Sequence, residues 1–246
     1  MSTSIWIVIG LAVLAVVSGM LGLGVAFAAV PFLSLFLTDL VHQVQPLTLL
    51  LNGLTALFAT LGFARSGYVD WKKAITLAVV TTVSAPFGSL LAQSIPQTVI
   101  LIVYFVAVAY LAYSLFRPVK RRDAEHENFR LALVLAVPIS MLAGFLGVGP
   151  GFLLMPTLIL VGFEPKKAAG INAFAVTPPS FSAVIPHLAT AVWDVPLTIA
   201  LLVVGGAGAF FGARITSLYV PSGRLKQLFG ILIVIMTAYK LYTLVA

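Results

Sequence analysis

The chain lacks cysteine and carries little charge. None of its 246 residues is a cysteine, and Asp, Glu, Lys and Arg together make up 9% of the sequence. Disulfides, thiolate metal sites and cysteine nucleophiles are therefore excluded. Soluble domains are about 25% charged and about 45–50% apolar, whereas 61% of this chain is hydrophobic and its mean hydropathy is +1.13. This composition excludes a water-soluble fold and predicts an all-α polytopic membrane protein.

The chain also lacks a candidate catalytic centre. All seven acidic residues lie outside the apolar runs, so no carboxylate pair is placed for acid–base catalysis within a run. The three histidines are scattered without metal-binding spacing. The one serine–histidine arrangement, Ser180 or Ser182 with His187, lacks a serine-protease motif. We therefore predict no catalytic residue, no metal site and no cofactor, and we expect that the chain is not an enzyme.

Basic residues outnumber acidic ones by 14 to 7, which gives a net charge of +7. They lie between the apolar runs, where Lys and Arg act as topology signals and as anchors to lipid headgroups. The expected partner of this charge is the lipid bilayer, and nucleic acid is not expected.

Eight apolar runs are candidates for membrane insertion. They span residues 5–37, 45–64, 74–93, 97–116, 129–163, 168–188, 195–218 and 225–245. The first and fifth are about 33–35 residues long and are interrupted by glycines. The polar stretch between the fourth and fifth runs predicts a first transmembrane repeat at 1–118, a basic cytoplasmic linker at 119–128 and a second repeat at 129–246.

Residues of the two halves match in order, which indicates duplication. The matched pairs are Gly19 and Gly144, Gly22 and Gly147, Gly24 and Gly149, Pro31 and Pro156, Asn52 and Asn172, and Gly88 and Gly212. The matches cover most of each half.

The distribution of Lys and Arg predicts inverted repeats. The connections at 38–44, 93–97 and 188–194 contain neither residue, whereas the other connections are basic. The fifth run has basic connections at both of its ends, so the positive-inside rule puts both ends on one side of the membrane, and eight simple crossings cannot satisfy this. If the first and fifth runs are hairpins with arms of about 15 residues, each half has an odd number of crossings and the halves are inverted. Both termini would then lie outside and the stretch 117–130 in the cytoplasm. A broken spanning helix in each position is the alternative.

The glycine breaks of the two long runs predict a binding site. Glycine tolerates non-helical backbone, and such backbone at membrane depth lines a cavity or is buried in protein. The helix that follows each break would present N–H groups and a positive dipole end to an anion. The candidate binding residues are Gly22, Gly24, Ala26, Asn52, Gly147, Gly149, Gly151, Asn172 and Thr177. The alternative is that these glycines only permit close helix packing.

The sequence resembles the TauE/SafE family of sulfite and sulfonate exporters, also called the toluene sulfonate uptake permease family. The resemblance rests on the glycine-rich stretch from Gly144 to Pro156, the stretch from Lys166 to Asn172, and the stretch from Gly67 to Trp71. Pro150 interrupts the family's glycine run, and Ala26 replaces a glycine in the first half. The resemblance implies movement of small oxyanions or organic acids across a prokaryotic inner membrane.

We therefore expect a multi-pass secondary transporter that binds a small anion, such as sulfite, a sulfonate or a related organic acid, near the membrane midplane and works by alternating access. A passive anion channel is the main alternative, and a non-transporting membrane scaffold is a weaker one. Coupling to a proton or to sodium, and assembly into a homodimer, are left open by the sequence, as are the exact substrate and the direction of transport.

Overall fold

A computed structural model of the chain describes residues 2–100, 102, 103, 106, 127–221 and 224. The described residues form helices joined by turns, and no strand occurs among them. The helices are α1 (Ser2–Leu21), α2 (Ala26–Leu33), α3 (Gln45–Ala64), α4 (Trp71–Gln93), α5 (Phe129–Leu146), α6 (Gly151–Leu160), α7 (Pro165–Val184) and α8 (Val195–Tyr219). A π-helical segment, Leu40–Val44, precedes α3, and a 3-10 turn, Ile185–His187, follows α7.

Six segments of the described part of the chain are long and apolar enough to cross a bilayer. They correspond to α1, α3, α4, α5, α7 and α8. Most of the fourth and eighth apolar runs, and nearly all of the predicted linker at 119–128, lie outside the described residues. The all-α membrane architecture predicted from composition is confirmed.

The first and fifth apolar runs fold as hairpins. The ring of Phe32 in α2 packs against Gly10 in α1, so α2 runs back along α1. In the second half, Asn128 N donates to Val161 O at 2.9 Å, which closes α5 and α6 into a loop. Their arms are unequal, because α1 has 20 residues and α2 has 8. The expectation of arms of equal length is therefore wrong, since the hydrophobic run continues through the break and does not mark where the first helix ends.

Helix packing is the same in both halves. The corresponding helices of the two halves are α1 and α5, α3 and α7, and α4 and α8. Helix α1 packs on α8 as α5 packs on α4, and α3 packs on α8 as α7 packs on α4. Helices α3 and α7 pack on each other at the centre. Each of these pairs joins a helix of one half to a helix of the other, and each has its counterpart under exchange of the halves, as duplication predicts.

Matched helices run in opposite directions. Along the interface of α1 and α8, Ala12 lies beside Gly208 and Met20 beside Gly212, so these helices are parallel. In the α3–α7 pair, Gly53 lies against Phe181 whereas Tyr68, just beyond α3, lies against Gly170. Those two helices are therefore antiparallel.

The remaining contacts extend this pattern: α3 is parallel to α8, and α7 and α5 are parallel to α4. These directions are consistent with the inverted repeat predicted from the charges.

The connections separate by charge into two faces. The basic face consists of residues 65–73, 127–130, 161–167 and 214–221, and contains the described Lys and Arg residues before Arg224. It is joined by the Lys73–Glu127 ion pair and by a 3.0 Å hydrogen bond between Ser66 Oγ and Ser217 Oγ. The opposite face consists of residues 37–45, 93–97 and 185–195, where Val192 N donates to His42 O at 2.8 Å. This separation is the one that the positive-inside rule requires.

Glycines allow two helix pairs to touch through their backbones. A Cβ on Gly212 would overlap the carbonyl oxygen of Val16, and a Cβ on Gly88 would overlap that of Met141. Outward-facing positions of the same helices carry exposed apolar residues such as Val203, which suit a lipid environment. Small residues at helix contacts are typical of membrane bundles, where close packing replaces the hydrophobic effect.

Gly212→Ala is expected to lower the melting temperature of the purified protein in detergent micelles. The new methyl group meets a backbone carbonyl that cannot rotate away, and such overpacking costs about 1–3 kcal/mol. Gly205→Ala is the matched control on the same helix, because its nearest neighbour is the Thr55 methyl group at 3.2 Å, which is the end of a side chain. Equal melting temperatures for the two variants would contradict the close α1–α8 contact.

Candidate functional site

The two glycine breaks adopt the same backbone conformation. Gly22 and Gly24 have φ of 65° and 71°, and their matches Gly147 and Gly149 have φ of 68° and 69°. The first glycine of each pair ends a helix: Leu23 N donates to Ser18 O at 3.1 Å, and the equivalent bond in the second half also measures 3.1 Å. These are Schellman-type helix ends, which need a left-handed residue that only glycine adopts at little cost.

The two breaks meet in the interior of the bundle. A Cβ on Gly151 would overlap Leu23 O, so the backbone of the second break touches that of the first. The rings of Phe27 and Phe152, which are equivalent positions in the two repeats, stack with centroids 6.3 Å apart and planes 9° apart. Both rings are fully buried, at 2% and 1% exposure. Equivalent residues that contact each other mark the centre of the repeat arrangement.

Asn52 lies between the two breaks and contacts both of them. Its Oδ1 accepts from Ala26 N at 2.9 Å, and its Nδ2 donates to Ser180 Oγ at 2.8 Å. A Cβ on Gly24 would overlap Asn52 Oδ1, and a Cβ on Gly149 would overlap Asn52 Nδ2. One fully buried amide therefore fits into the space that two missing side chains leave.

Asn172 occupies the equivalent position in α7 but bonds differently. Its Nδ2 donates to Gly22 O at 2.7 Å and to Gly151 O at 3.3 Å. Its Oδ1 is buried and has no hydrogen-bond partner among the described residues. Asn172 thus holds carbonyl oxygens of both breaks, whereas Asn52 accepts from a helix N-terminus.

Two further carbonyl groups at the second break are held by α3. Gln45 Nε2 donates to Phe145 O at 3.2 Å, and Thr48 Oγ1 donates to Gly147 O at 3.0 Å. A backbone group without a partner at membrane depth costs several kcal/mol, about 4–8 on a hydrocarbon reference. These cross-half bonds supply partners that the glycine breaks remove from the helices.

The two helix N-termini differ in their free hydrogen-bond donors. At the start of α2, Val25 N donates to Thr55 Oγ1 at 3.1 Å and Ala26 N donates to Asn52. At the start of α6, the N–H groups of Gly149, Gly151 and Phe152 have no acceptor among the described residues; of these, Gly149 matches Gly24, whose N–H also lacks one. Two differences cause this: Pro150, which corresponds to Val25, has no N–H group, and Asn172 Oδ1, unlike Asn52 Oδ1, accepts no helix N–H among the described residues.

The structure brings most of the predicted site residues together. Asn52, Asn172, Gly24, Gly149 and Gly151 all lie at the junction of the two breaks.

The hydrogen-bond donors of the other predicted residues are already occupied. The N–H groups of Gly22 and Gly147 bond to Gly19 O and Gly144 O and so belong to helix ends. The N–H of Ala26 is taken by Asn52. The Thr177 hydroxyl donates to Ala173 O at 3.0 Å within its own helix.

Two residues at the junction were missed by sequence reasoning. Thr55 caps α2, and Gln45 binds the end of α5. The spacing of Thr55, three residues after Asn52, places both on one face of α3, and this signal was sufficient to find it. Gln45 had no such signal, since it opens its helix and its partner lies 100 residues away.

A cavity of 260 Å³ opens on the opposite face. It is lined by Leu37, Gln43, Leu47, Val192, Trp193, Asp194, Leu197 and Thr198. One lining residue, Leu47, precedes Thr48 in α3, and the Thr48 hydroxyl binds the second break. The junction itself is closed, because Asn52 and Asn172 are both 0% exposed.

Comparison with known proteins gives one family. The family model described as "Sulfite exporter TauE/SafE" matches residues 6–240. No solved structure matches the chain significantly.

Curated relatives carry similar names. "Probable membrane transporter protein ORF9" of Sinorhizobium sp is 29% identical over 211 residues, which cover 81% of this chain and 78% of the relative. "Probable membrane transporter protein" of Xylella fastidiosa strain Temecula1 is 30% identical over 190 residues, covering 73% and 72% of the two chains. "Probable membrane transporter protein YdhB" of Bacillus subtilis is 20% identical over 220 residues, covering 86% and 90%. The family and these names indicate a membrane transporter rather than an enzyme.

Gly149→Ala is expected to lower the melting temperature strongly, because the methyl group both overlaps Asn52 Nδ2 and requires a positive φ. In the double variant with Asn52→Ala the overlap is absent, so the two losses in stability should be far from additive. Gly67→Ala is the matched control, because Gly67 has a φ of 74° but no atom within 4 Å of an added Cβ. It isolates the cost of the left-handed conformation, about 1–2 kcal/mol. Strictly additive losses would show that Asn52 does not fit against Gly149.

Proposed function

The chain belongs to the sulfite exporter TauE/SafE family, and on that basis we propose that it is a secondary transporter of small anions. The substrates are sulfite, sulfonates or related organic acids, and transport proceeds by alternating access around the junction of the two glycine breaks. The junction lies between helices of both repeats, which is where transporters built from internal repeats place their substrate sites.

The observation that carries this proposal is the set of unbonded donors at the start of α6. The N–H groups of Gly149, Gly151 and Phe152 have no acceptor among the described residues, and Asn52 Nδ2 lies directly beside Gly149. A helix N-terminus with free N–H groups favours an anion through both hydrogen bonds and the helix dipole. These donors fit an oxyanion with several acceptor oxygens.

The donor set selects the substrate through hydrogen bonds and shape. Among the described residues, no Lys or Arg side chain contacts the junction, so an anion there would meet dipoles and amide groups rather than a salt bridge. Fixed dipoles in a site without water stabilise charge more strongly than the same groups in water. A site of this kind releases its anion more readily than a buried ion pair would, which suits a carrier.

Both faces supply part of an access route. On the opposite face the 260 Å³ cavity reaches Leu47, one residue from the Thr48 that binds the second break. On the other side, the basic face lies about 9 Å along α7 from Asn172, the length of six helical residues. In alternating access, one route closes before the other opens. By the positive-inside rule, the basic face and the predicted linker stretch 117–130 lie on the cytoplasmic side of a cell membrane.

Flux into proteoliposomes of the purified chain tests the proposed activity. Sulfite, thiosulfate, sulfoacetate, sulfate and acetate are offered with and without a proton or sodium gradient. The expected result is saturable flux of a sulfur oxyanion that a gradient changes. Flux that rises linearly with anion concentration and does not depend on ion gradients would favour the channel alternative. Absence of flux in folded protein would contradict transport.

Asn52→Ala and Asn172→Ala are expected to raise the KM for flux by about tenfold or more each, because each removes a buried amide that organises the donors, at about 1–3 kcal/mol. Thr60→Val is the matched control: Thr60 is also buried in α3, but its hydroxyl bonds only to Ala56 O in its own helix, at 2.8 Å. Melting temperatures verify folding. An unchanged KM in both single variants and in the double variant would exclude the junction as the substrate site.

A further inference from the structure

Two cations on the basic face are joined through two serine hydroxyls. Arg214 Nη1 donates to Ser66 Oγ at 3.0 Å, and Ser66 Oγ lies 3.0 Å from Ser217 Oγ. Lys166 Nζ donates to Ser217 O at 3.3 Å, and its ammonium group also lies 5.2 Å above the ring of Tyr68. Residues from the ends of α3 and α8 and from the start of α7 thus meet at one point, which we call the serine–cation cluster.

The equivalent point on the opposite face is uncharged. With the repeats aligned on Asn52 and Asn172 and on Gly88 and Gly212, Lys166 corresponds to Pro46, Ser66 to Pro186, Arg214 to Leu90 and Ser217 to Gln93. The equivalent contact is present, because Gln93 Nε2 donates to Pro186 O. The two faces therefore share the helix contact but differ in the two cations and the two hydroxyls.

The cluster differs from an anchor that reaches out into the headgroups. Arg214 and Lys166 are half-buried, and Ser217 is only 6% exposed. The neighbouring Lys167, by contrast, is exposed. Both hydroxyls donate within the cluster, Ser66 to Ser217 Oγ and Ser217 to Arg214 O at 3.1 Å. The donors for an oxyanion are therefore the further N–H groups of the guanidinium and ammonium groups, and charge-assisted hydrogen bonds to such groups are the strong ones.

We propose that the serine–cation cluster is a binding subsite for the transported oxyanion on the basic face, where the anion docks before it enters the junction or after it leaves. This inference rests on the proposed anion transport and adds a sidedness to it. The junction would be reached through a cationic subsite from one face and through a neutral cavity from the other, so the two faces should differ in apparent affinity.

Arg214→Gln and Lys166→Gln test the subsite independently, with Lys167→Gln as the matched control that removes an equal charge one residue away. Sulfite flux is measured in right-side-out and inside-out membrane vesicles that contain the full chain. Because the chain has no cysteine, a single Lys167→Cys variant labelled with an impermeant maleimide identifies the vesicles that expose the basic face. Melting temperatures confirm folding, and either Gln variant suffices if the other does not fold.

The expected result is a KM raised about tenfold at the basic face, the factor typical for loss of a charge-assisted hydrogen bond, with the KM at the opposite face and the Lys167→Gln variant unchanged. Wild-type flux with an unchanged KM in both Gln variants, or an equal rise at both faces, would overturn the subsite alone. Absence of wild-type flux would overturn the proposed transport and the subsite with it.

A lipid phosphate has the same chemistry as the proposed ligand, so a second measurement separates the two sources. The rise in melting temperature on adding phosphatidylglycerol, and separately on adding sulfite, is compared between wild type and Arg214→Gln in micelles. A smaller sulfite effect with an unchanged phosphatidylglycerol effect supports the subsite, since the junction still binds sulfite. Loss of the phosphatidylglycerol effect with an unchanged KM would show that the cluster holds a headgroup, and would overturn the proposal.

Discussion

The fit of the Asn52 amide between Gly24 and Gly149 is the constraint on which the interior of this protein depends. The two glycines come from different repeats, yet a Cβ on either would overlap the same side chain. The amide in turn accepts from the start of α2 and donates to Ser180 in α7. It therefore sets the distance between the two breaks and the register of α3 against α7. Buried amides that are fully bonded specify one arrangement of a core.

Broken helices inside a membrane leave backbone groups that must find partners, and the two repeats solve this problem differently. At the first break, side chains of α3 accept from two N–H groups, those of Val25 and Ala26, through Thr55 and Asn52. At the second break they bind only carbonyl oxygens, through Gln45 and Thr48. The donors of α6 stay free as a result. An internal duplication whose halves were fully equivalent would offer two such sites or none. The different bonding of Asn52 and Asn172, together with Pro150 in the place of Val25, leaves one.

Much of this arrangement could be predicted from the sequence, and the rest could not for physical reasons. The overlong first and fifth runs, together with alternating basic connections, predict hairpins because only hairpins satisfy the charge rule. The matched glycines predict that both breaks have the same backbone conformation, because a positive φ at equivalent positions needs glycine in both repeats. The unequal lengths of the hairpin arms were missed, because the hydropathy of an apolar run does not change at the residue where a helix ends. The different bonding of Asn52 and Asn172 was also missed, because an amide's orientation depends on neighbours that only the folded chain brings together.

The most direct test of this account is to observe the glycine amides during anion binding. The purified chain, labelled with ¹⁵N at its 20 glycines, is titrated with sulfite, and the amide resonances are followed by NMR. The account predicts saturable shifts at Gly149 and Gly151, a much smaller shift at Gly22, whose N–H is bonded to Gly19 O, and none at Gly67. Equal shifts at both breaks, or the absence of saturable shifts at Gly149 and Gly151, would contradict an anion site at the start of α6.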